Sequence, residues 1–302
     1  MKKLLVTGAS GFLGWNICMR ALTRWAVTGV TCAHEAAIDG VTMLRCDLTD
    51  FTELERLFQN VQPDAVIHAA AAADPNFCET HPEISRQINV DAALRIAQMC
   101  AAYDARCVFI STDLLFDGQH PPYDEASKAA PLSLYGKQKA EAENRMRQAY
   151  AAMLICRMSL MYGDAPAPAK SFLQPMIQSL CDNKELTLFT DEIRTPVSAS
   201  DAASGILMLL ESARSGIFHL GGKVRISRYE FGNVLSSCLG ITHTLIRAAS
   251  RKDVSMAAPR PADVSLDSAK AVALGYNPLP PRTALMELSC VQQARQRVLN
   301  RK

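Results

Sequence analysis

The sequence lacks several features that would assign the protein to a specialised class. No apolar run reaches the roughly 18–20 residues that a membrane-spanning helix needs, and the first residues lead directly into a predicted strand, not a signal peptide. The net charge is only +2 over 302 residues, which gives no argument for binding nucleic acid or a membrane. These absences predict a cytoplasmic globular protein whose partner is a small molecule.

The 10 cysteines form no metal-binding pattern. None stands in a CxxC pair or in a cluster with histidine at the spacing of metal ligands, so no metal site is predicted. Most lie inside apolar strand or helix patterns, which is typical of small buried side chains in a reducing compartment. Hydrophobic residues make up 49% of the chain and charged residues 21%, as in ordinary globular proteins.

Strands alternate with helices along the first half of the chain. This alternation predicts an α/β fold with a Rossmann-type doubly wound parallel sheet and helices on both faces. After a first strand at the N-terminus, the predicted strands lie at residues 27–33, 41–46, 64–68, 106–111, 153–157 and 216–220. The predicted helices lie at 15–22, 51–60, 82–103 and 135–150.

Beyond the first 165 residues, proline-rich stretches interrupt the alternation of strands and helices. We therefore predict a dinucleotide-binding domain at 1–165, to which 191–221 returns by contributing one strand. A smaller, α-rich substrate-binding domain is predicted from 166–190 and 222–302.

Three glycines spaced by three residues follow the first strand, and a helical pattern comes after them. Glycine permits a tight strand-to-helix turn and lets a pyrophosphate approach the backbone. The helix N-terminus then offers N–H groups and a positive dipole end to that anion. A glycine-rich turn without a ligand is the alternative. The cofactor-binding candidates of this segment are Gly8, Ser10, Gly11, Phe12, Leu13 and Gly14.

Tyr135 and Lys139 stand four residues apart on a predicted helix and would share one face. A free tyrosine has a pKa of about 10, and a nearby ammonium group favours the phenolate and lowers that value. The pair therefore predicts a proton donor with a cation beside it. The same spacing also occurs on solvated helix faces, so the pair needs the glycine turn to support it.

Together these segments resemble the extended short-chain dehydrogenase/reductase family over nearly the whole chain. Within that family the chain is most similar to the dTDP-4-dehydrorhamnose reductase group, whose ISTDYVFDG and YGKTK segments match residues 110–118 and 135–139. Arg194-Thr195-Pro196 and Arg260-Pro261 also fit. The segments that carry the wider resemblance are Thr7-Gly8-x-x-Gly11-x-x-Gly14, Asp47-Leu48, His68-Ala69-Ala70-Ala71, Asn89-Val90, Ser111-Thr112-Asp113 and Tyr135-x-x-x-Lys139.

The resemblance implies a carbonyl reduction. A nicotinamide would deliver hydride to the carbonyl carbon while Tyr135 gives a proton to the oxygen. The family implies that Lys139 lowers the pKa of Tyr135 and holds the nicotinamide ribose. Thr112 lies just past a strand end, where α/β sheets place their ligands, and its hydroxyl could bind the carbonyl oxygen. Its alternative role is to cap a turn.

The nature of the dinucleotide is left open by the sequence. NAD-specific sheets end the second strand with an acidic residue, but this strand ends without an acid at its tip and without an arginine for a 2′-phosphate. His34 could contact a phosphate and Glu35 a ribose, so we expect NADP, slightly favoured, or NAD. By resemblance, Asp47 binds the adenine amino group, although it could instead cap the next helix. The other cofactor candidates are Leu48, Ala69, Ala70 and Ala71.

The expected substrate is a keto-sugar, and within that class a nucleotide-linked 4-keto-6-deoxy sugar. Arg194 and Arg260 are candidates for its diphosphate, because guanidinium groups suit phosphate oxygens, and Asp113 is a further substrate-binding candidate. Relatives that dehydrate sugars carry an Asp-Glu pair after the threonine, and Leu114 cannot act as an acid or a base. The sequence therefore argues against dehydration.

Other functions remain open. The same group contains the regulatory β subunit of methionine adenosyltransferase, so a non-catalytic dinucleotide-binding regulatory subunit is one alternative, and a nucleotide-sugar epimerase is a second. The reductases usually carry RTSW where this chain has Arg157-Met158-Ser159-Leu160, which removes an aromatic sugar contact. By analogy with relatives that pair through the helix carrying the tyrosine, a homodimer is also expected.

Overall fold

The computed structural model describes residues 1–32, 36–165, 169, 171–241 and 245–300. The strands, in chain order, are β1 (Lys2–Thr7), β2 (Trp25–Thr31), β3 (Thr42–Arg45), β4 (Ala65–His68), β5 (Arg106–Thr112), β6 (Leu154–Met158), β7 (Met161–Tyr162), β8 (Leu186–Phe189), β9 (Ile193–Arg194), β10 (Val197–Ser198), β11 (Gly216–Leu220), β12 (Ile226–Ser227) and β13 (Ile246–Ala249). The helices are α1 (Phe12–Ala21), α2 (Phe51–Val61), α3 (Pro75–Thr80), α4 (Pro82–Arg86), α5 (Ala92–Ala102), α6 (Leu134–Ala149), α7 (Leu173–Cys181), α8 (Ala199–Glu211), α9 (Arg228–Leu239), α10 (Ala269–Val272), α11 (Pro281–Glu287) and α12 (Ser289–Leu299).

Seven of these strands form one sheet in which every neighbouring pair is parallel, in the order β11-β6-β5-β4-β1-β2-β3. The chain moves outward from β1 through β2 and β3 and then continues from β4 on the other side of β1. The order thus reverses between β1 and β4, and open α/β sheets bind ligands at such a reversal. The predicted Rossmann-type doubly wound fold is confirmed.

Side chains alternate between the two faces of the sheet, and each face has its own core. In β1, Leu4 and Val6 belong to the cluster covered by α1 and α8, whereas Leu5 belongs to the cluster covered by α2, α5 and α6. Because both faces are buried, the central strands are mostly apolar, and all four residues of β4, including His68, are buried.

A third cluster lies outside the sheet and joins α7, α9, α11 and α12 around side chains such as Phe231, Leu235 and Leu285. The short parallel pair β8 and β13 adds to it. A separate core supports our proposal that these segments form a substrate-binding domain. Within the described residues, no helix combines the length and apolar character required to cross a membrane.

The helix predicted at 82–103 is interrupted. The chain is α-helical in α4, forms a π-helix at Gln87–Asp91 and becomes α-helical again in α5. Asn89, at the centre of the π-helix, is buried and binds both backbone groups of Ala72, accepting from its N–H at 2.9 Å and donating to its carbonyl at 3.1 Å. Such bulges bring a polar side chain inward, and hydropathy alone does not predict them. The second strand runs from Trp25 to Thr31, and Ala33 lies outside the described residues.

Close backbone contact at Gly14 generates a test of the fold. Gly14 lies in α1, and a Cβ atom on it would stand 2.1 Å from the carbonyl oxygen of Gly8. An ordinary helix gains about 1 kcal/mol when alanine replaces glycine, but here the added methyl meets backbone that cannot rotate away. We expect G14A to lower the free energy of unfolding by about 1–3 kcal/mol in urea titrations.

Gly232 in α9 provides the matched control, because its Cβ would meet only the ends of side chains, the nearest being the Cδ1 methyl of Leu188, which can change rotamer. We expect G232A to cost less than G14A. A G14A protein as stable as the wild type would contradict the close approach of α1 to the turn after β1.

Candidate active site

The turn after β1 is built for a close ligand approach. Gly8 has a left-handed φ of +68°, and a Cβ on it would stand 2.8 Å from the backbone of Ala70, which follows β4. Gly11 caps α1 without any side-chain hydrogen bond, so the first N–H groups of the helix are not covered by a cap. A pyrophosphate suits this backbone cradle. Ser10 and Phe12 lie half-buried in the turn, whereas Leu13 is buried in the core beneath it.

The segment after β4 is tied to the turn after β1. The Thr7 hydroxyl lies 2.7 Å from Nδ1 of His68 and accepts from the N–H of Ala70 at 3.3 Å. Ala69, Ala70 and Ala71 are all half-buried beside the reversal in strand order. Burial and the nearby Lys139 ammonium lower the pKa of His68 to about 3, so its imidazole is neutral.

The loop after β3 carries the adenine-binding candidates. The Asp47 carboxylate accepts from the N–H of Thr49 at 2.9 Å and from its hydroxyl at 2.7 Å. It therefore closes its own turn, and α2 is capped instead by Asp50. Leu48 is buried in the core. His34, the candidate for a phosphate contact, lies outside the described residues.

Tyr135, Lys139 and Thr112 meet at the carboxyl end of β5. Ser133 caps α6, which fixes the start of the helix so that Tyr135 and Lys139 both face inward, 8% and 2% exposed. Thr112 ends β5, is 8% exposed, and accepts from the N–H of Leu114 at 3.2 Å. The turn-capping role is thus present. The Thr112 hydroxyl also lies close enough to Tyr135 to lower the pKa of its phenol, so the cap does not separate Thr112 from the pair.

Lys139 is an ammonium group placed in the core. Its Nζ donates to the carbonyl oxygen of Ile110 at 2.6 Å and lies 3.9 Å from the ring centroid of Phe109. Burial lowers its pKa from 10.5 to about 7, and the Glu143 carboxylate one turn further along α6 opposes that fall. Both protonation states of Lys139 are therefore accessible near neutral pH.

The pKa of Tyr135 moves in the direction opposite to the prediction. Burial raises it well above its usual value, the charge of Asp113 adds to the rise, and Thr112 and Arg194 lower it only in part. The expected lowering by Lys139 is wrong for the folded chain, because the phenol is enclosed and the ammonium is directed to a backbone carbonyl. Tyr135 therefore keeps its proton at neutral pH and is available as a proton donor.

Asp113 and Arg194 bind each other. Nη1 of Arg194 donates to Oδ1 of Asp113 at 2.6 Å, and the Ser159 hydroxyl donates to Oδ2 at 3.1 Å. Arg194 also lies 3.7 Å from Glu192, which accepts from Arg260 at 3.1 Å. The three predicted substrate residues thus belong to one connected group. Asp113 and Arg194 are buried, and Arg260, with a 35% exposed side chain, is the most open.

Arg228 joins this group and was missed by the sequence analysis. It is the first residue of α9, and its Cζ lies 4.1 Å from the centroid of the Phe172 ring. The charges of Glu192, Arg194 and Arg260 act on its pKa. Burial lowers its pKa to about 10, and among the described residues its Nη1 has no hydrogen-bond partner. Only the fold brings it close to the others, since no motif surrounds it.

A buried ion pair supports α6 from behind. Arg157 in β6 donates to both oxygens of Glu143 at 2.7–3.3 Å, and its Nη1 lies 3.4 Å from Nε2 of His219 in β11. Both partners are about 5% exposed. Arg157 aligns with the arginine of the RTSW segment in related reductases. It packs inward and anchors the helix that carries Tyr135 and Lys139.

The chain is similar to known proteins over nearly its whole length. The family model described as the RmlD substrate binding domain matches residues 1–293. A probable low-salt glycan biosynthesis reductase from Haloferax volcanii is 31% identical over 267 residues, covering 87% of this chain and 88% of that protein. The β subunit of methionine adenosyltransferase 2 from Xenopus laevis is 30% identical over 281 residues, covering 91% of this chain and 83% of that protein.

Among solved structures, a dTDP-4-dehydrorhamnose reductase from Clostridium acetobutylicum superposes with a TM-score of 0.83. The two chains are 26% identical, and the match covers 96% of this chain and 99% of the other. The likeness therefore includes both the sheet and the segments around the third cluster.

Lys139 provides a test through the pH dependence of stability. Between its folded pKa of about 7 and its usual 10.5, the unfolded wild type binds more protons than the folded form. Wild-type stability therefore gains up to about 1.4 kcal/mol per pH unit across this window from this one group. K139M lacks that gain. We expect the stability of K139M relative to the wild type to be highest at pH 6 and to decline from pH 7 to 10 in urea titrations.

Lys137, exposed on the same helix, is the matched control. The stability of K137M relative to the wild type should change little over the same range. A difference between K139M and wild type that stays constant from pH 6 to 10 would contradict the buried ammonium.

Proposed function

The chain belongs to the family described as the RmlD substrate binding domain, and we propose that it is an NAD(P)H-dependent reductase of a keto-sugar. Within that class we infer a nucleotide-linked 4-keto-6-deoxy sugar as the substrate, as for a dTDP-4-dehydrorhamnose reductase. The observation that carries the proposal is the buried meeting of Thr112, Tyr135 and Lys139 at the carboxyl end of β5.

The cradle after β1 fits a dinucleotide, because glycine at positions 8 and 14 lets the turn, α1 and the segment after β4 approach closely and leaves the first N–H groups of α1 free of a side-chain cap. A reduced nicotinamide, when bound, supplies the hydride. The backbone of the turn after β1 would hold the pyrophosphate, and Lys139 would hold the nicotinamide ribose beside β5. The names of the similar Haloferax and Clostridium proteins, both reductases, support this choice of chemistry.

Tyr135 supplies the proton in this proposal. Burial keeps its Oη protonated at neutral pH, so it donates a hydrogen bond to a carbonyl oxygen and then gives up the proton as charge develops there. Thr112 holds the same oxygen through its hydroxyl. Lys139 then stabilises the tyrosinate, because a cation near a phenolate favours the charged form.

The arginine group supports an anionic substrate. Arg194, Arg228 and Arg260 carry three positive charges and Asp113 and Glu192 two negative ones, which leaves an excess of one positive charge beside Tyr135. Guanidinium groups suit phosphate oxygens, and unpaired nitrogens on Arg194 and Arg228 remain among the described residues. We infer that this group receives the diphosphate of a nucleotide sugar.

The 30% identity to the methionine adenosyltransferase subunit supports one alternative, a regulatory dinucleotide-binding protein. Such a protein would keep the cradle after β1 and bind cofactor without turning over a sugar. An epimerase is the second alternative, since it returns its hydride to the product and consumes no net NADPH.

Loss of nicotinamide absorbance distinguishes these functions. With NADPH or NADH and a panel of nucleotide-linked 4-keto sugars, we expect turnover that falls by about 10²–10⁴-fold in Y135F, because the variant has no proton to donate. Y150F, at the end of the same helix, is the matched control and should keep full activity.

Cofactor binding without turnover on any sugar would contradict the reductase and favour the regulatory alternative. If chromatography shows that one sugar is converted into its epimer while NADPH absorbance does not fall, the epimerase is favoured. Full activity of Y135F would contradict the assignment of the proton donor.

A further inference from the structure

Residues 251–260 form a loop whose two ends are tied together. Arg251, at the start of a short 3-10 turn after β13, donates from Nη1 to the carbonyl oxygen of Arg260 at 2.8 Å. The N–H of Arg251 also donates to the Asp191 carboxylate at 2.8 Å, and its Nε donates to the Asp191 carbonyl oxygen at 3.2 Å. Compact loops with closed ends are frequently functional. The residues between Arg251 and Arg260 therefore project as one unit from a fixed base.

The body of this loop has few contacts that hold it down. Val254 is 44% exposed, and Ser255 and Ala257 are exposed as well. Ala258 is the one buried residue of the stretch 254–259. Among the described residues, that stretch makes a single hydrogen bond to the rest of the chain, from the N–H of Ala258 to Oδ1 of Asn76 at 3.0 Å. A segment with so few contacts opens at a low cost in free energy.

The acceptor, Asn76, belongs to α3, and α3 lies against the residue that would donate the proton. Glu79 of α3 accepts from the N–H of Leu134, the first residue of α6, at 2.7 Å. Burial is the largest cause of the raised pKa of Tyr135, and the thiol of Cys78 in α3 lies near enough to add to the rise. The loop therefore rests on the helix that borders Tyr135.

The other end of the same limb belongs to the arginine group. Only Pro259 separates Ala258 from Arg260, whose Nη1 donates to Glu192 at 3.1 Å. Two residue steps span at most about 7 Å, so this limb connects α3 directly with the arginines. In the proposed function, the diphosphate lies at the arginines and the reacting carbonyl lies at Tyr135. The sugar would then lie between them, along the path of this limb.

We propose that residues 251–260 are a lid over the sugar site and that Asn76 is the residue that latches it. Opening breaks the hydrogen bond between Ala258 and Asn76, while the base at Arg251 and Arg260 stays bound. A closed lid excludes water from the sugar and from Tyr135, which strengthens the hydrogen bonds to the carbonyl oxygen. The inference rests on the proposed function, which places a sugar here, and adds how that sugar enters and is enclosed.

Hydrogen exchange tests the latch on the free protein. Pro259 has no N–H, and among the described residues the N–H groups of 254–257 have no hydrogen-bond acceptor. A fragment spanning 254–259 should therefore keep one slowly exchanging hydrogen, that of Ala258. N76A removes its acceptor, and we expect exchange about three- to tenfold faster. N76D keeps an oxygen at the same place and should stay within about twofold of the wild type.

Asn144, exposed on α6, provides the matched control N144A, in which the Ala258 hydrogen should exchange as in the wild type. The amides of β5 lie in the core and report opening of the whole fold, so their exchange should be the same in all three variants. Faster exchange in β5 as well as at Ala258 would assign Asn76 to general stability and overturn the latch. Unchanged exchange at Ala258 in N76A would also overturn it.

The role as a lid is tested with two probes, dTDP and dTDP-glucose, which differ only by the sugar. At concentrations where calorimetry shows each probe to be bound, we expect dTDP-glucose to slow exchange at Ala258 at least about tenfold more than dTDP does. Equal exchange with the two bound probes would overturn the lid, because the loop would then not respond to the sugar.

Failure of the lid and failure of the reductase give different results. If dTDP-glucose protects Ala258 but no keto-sugar is reduced, the lid stands and the reductase proposal falls. If keto-sugars are reduced and dTDP-glucose binds without protecting Ala258, the reductase stands and the lid falls. If neither probe binds, the sugar site itself is absent and the lid falls with it.

Discussion

Parallel pairing brings the carboxyl ends of β1 to β5 to one edge of the sheet, and the candidate residues of the site gather on or beside that edge. The pairing is possible only because backbones approach closely at the reversal between β1 and β4. Gly8 contacts the backbone after β4, and Gly14 contacts Gly8. Side chains at these positions would push the segments apart and remove the cradle that a pyrophosphate needs. The fold and the candidate site therefore both depend on glycine at these two positions.

A second constraint is the cost of burying charge. Lys139 lies in the core with a single backbone acceptor and an aromatic face, and its pKa falls to about 7 as a result. Asp113 with Arg194 and Glu143 with Arg157 are buried as pairs, which avoids an uncompensated charge but still costs desolvation. Proteins that carry such costs at one place commonly do so for function. Asp113 and Arg194 act directly on the pKa of Tyr135, and Lys139 and Glu143 lie on the same helix as Tyr135.

The sequence predicted the sheet and the order of its elements because hydrophobic runs and glycine turns are local signals. It also predicted Tyr135, Lys139 and Thr112, since spacing on a helix and position after a strand follow from local geometry. Hydrophobic periodicity did not predict the π-helix at Asn89, which depends on hydrogen bonds to Ala72 in another segment. Nor did it predict the raised pKa of Tyr135, which depends on enclosure by the whole fold.

Contacts between distant segments explain the remaining differences. Arg228 is not part of any sequence motif, and only the fold brings it beside Glu192. Arg194 and Asp113 were predicted singly as substrate contacts, yet they lie 81 residues apart and form an ion pair. Residues that belong to a sequence motif can be identified from the sequence alone. Residues that come together only through tertiary contacts can be identified only from the structure.

Binding of the dinucleotide is the claim on which catalysis, substrate choice and cofactor preference all depend. Calorimetric titration of NADPH into the purified chain, without any sugar, tests it most directly. The account predicts saturable binding of one NADPH per chain. Absence of heat and of saturation at millimolar NADPH would contradict it, because the cradle after β1 would then have no ligand.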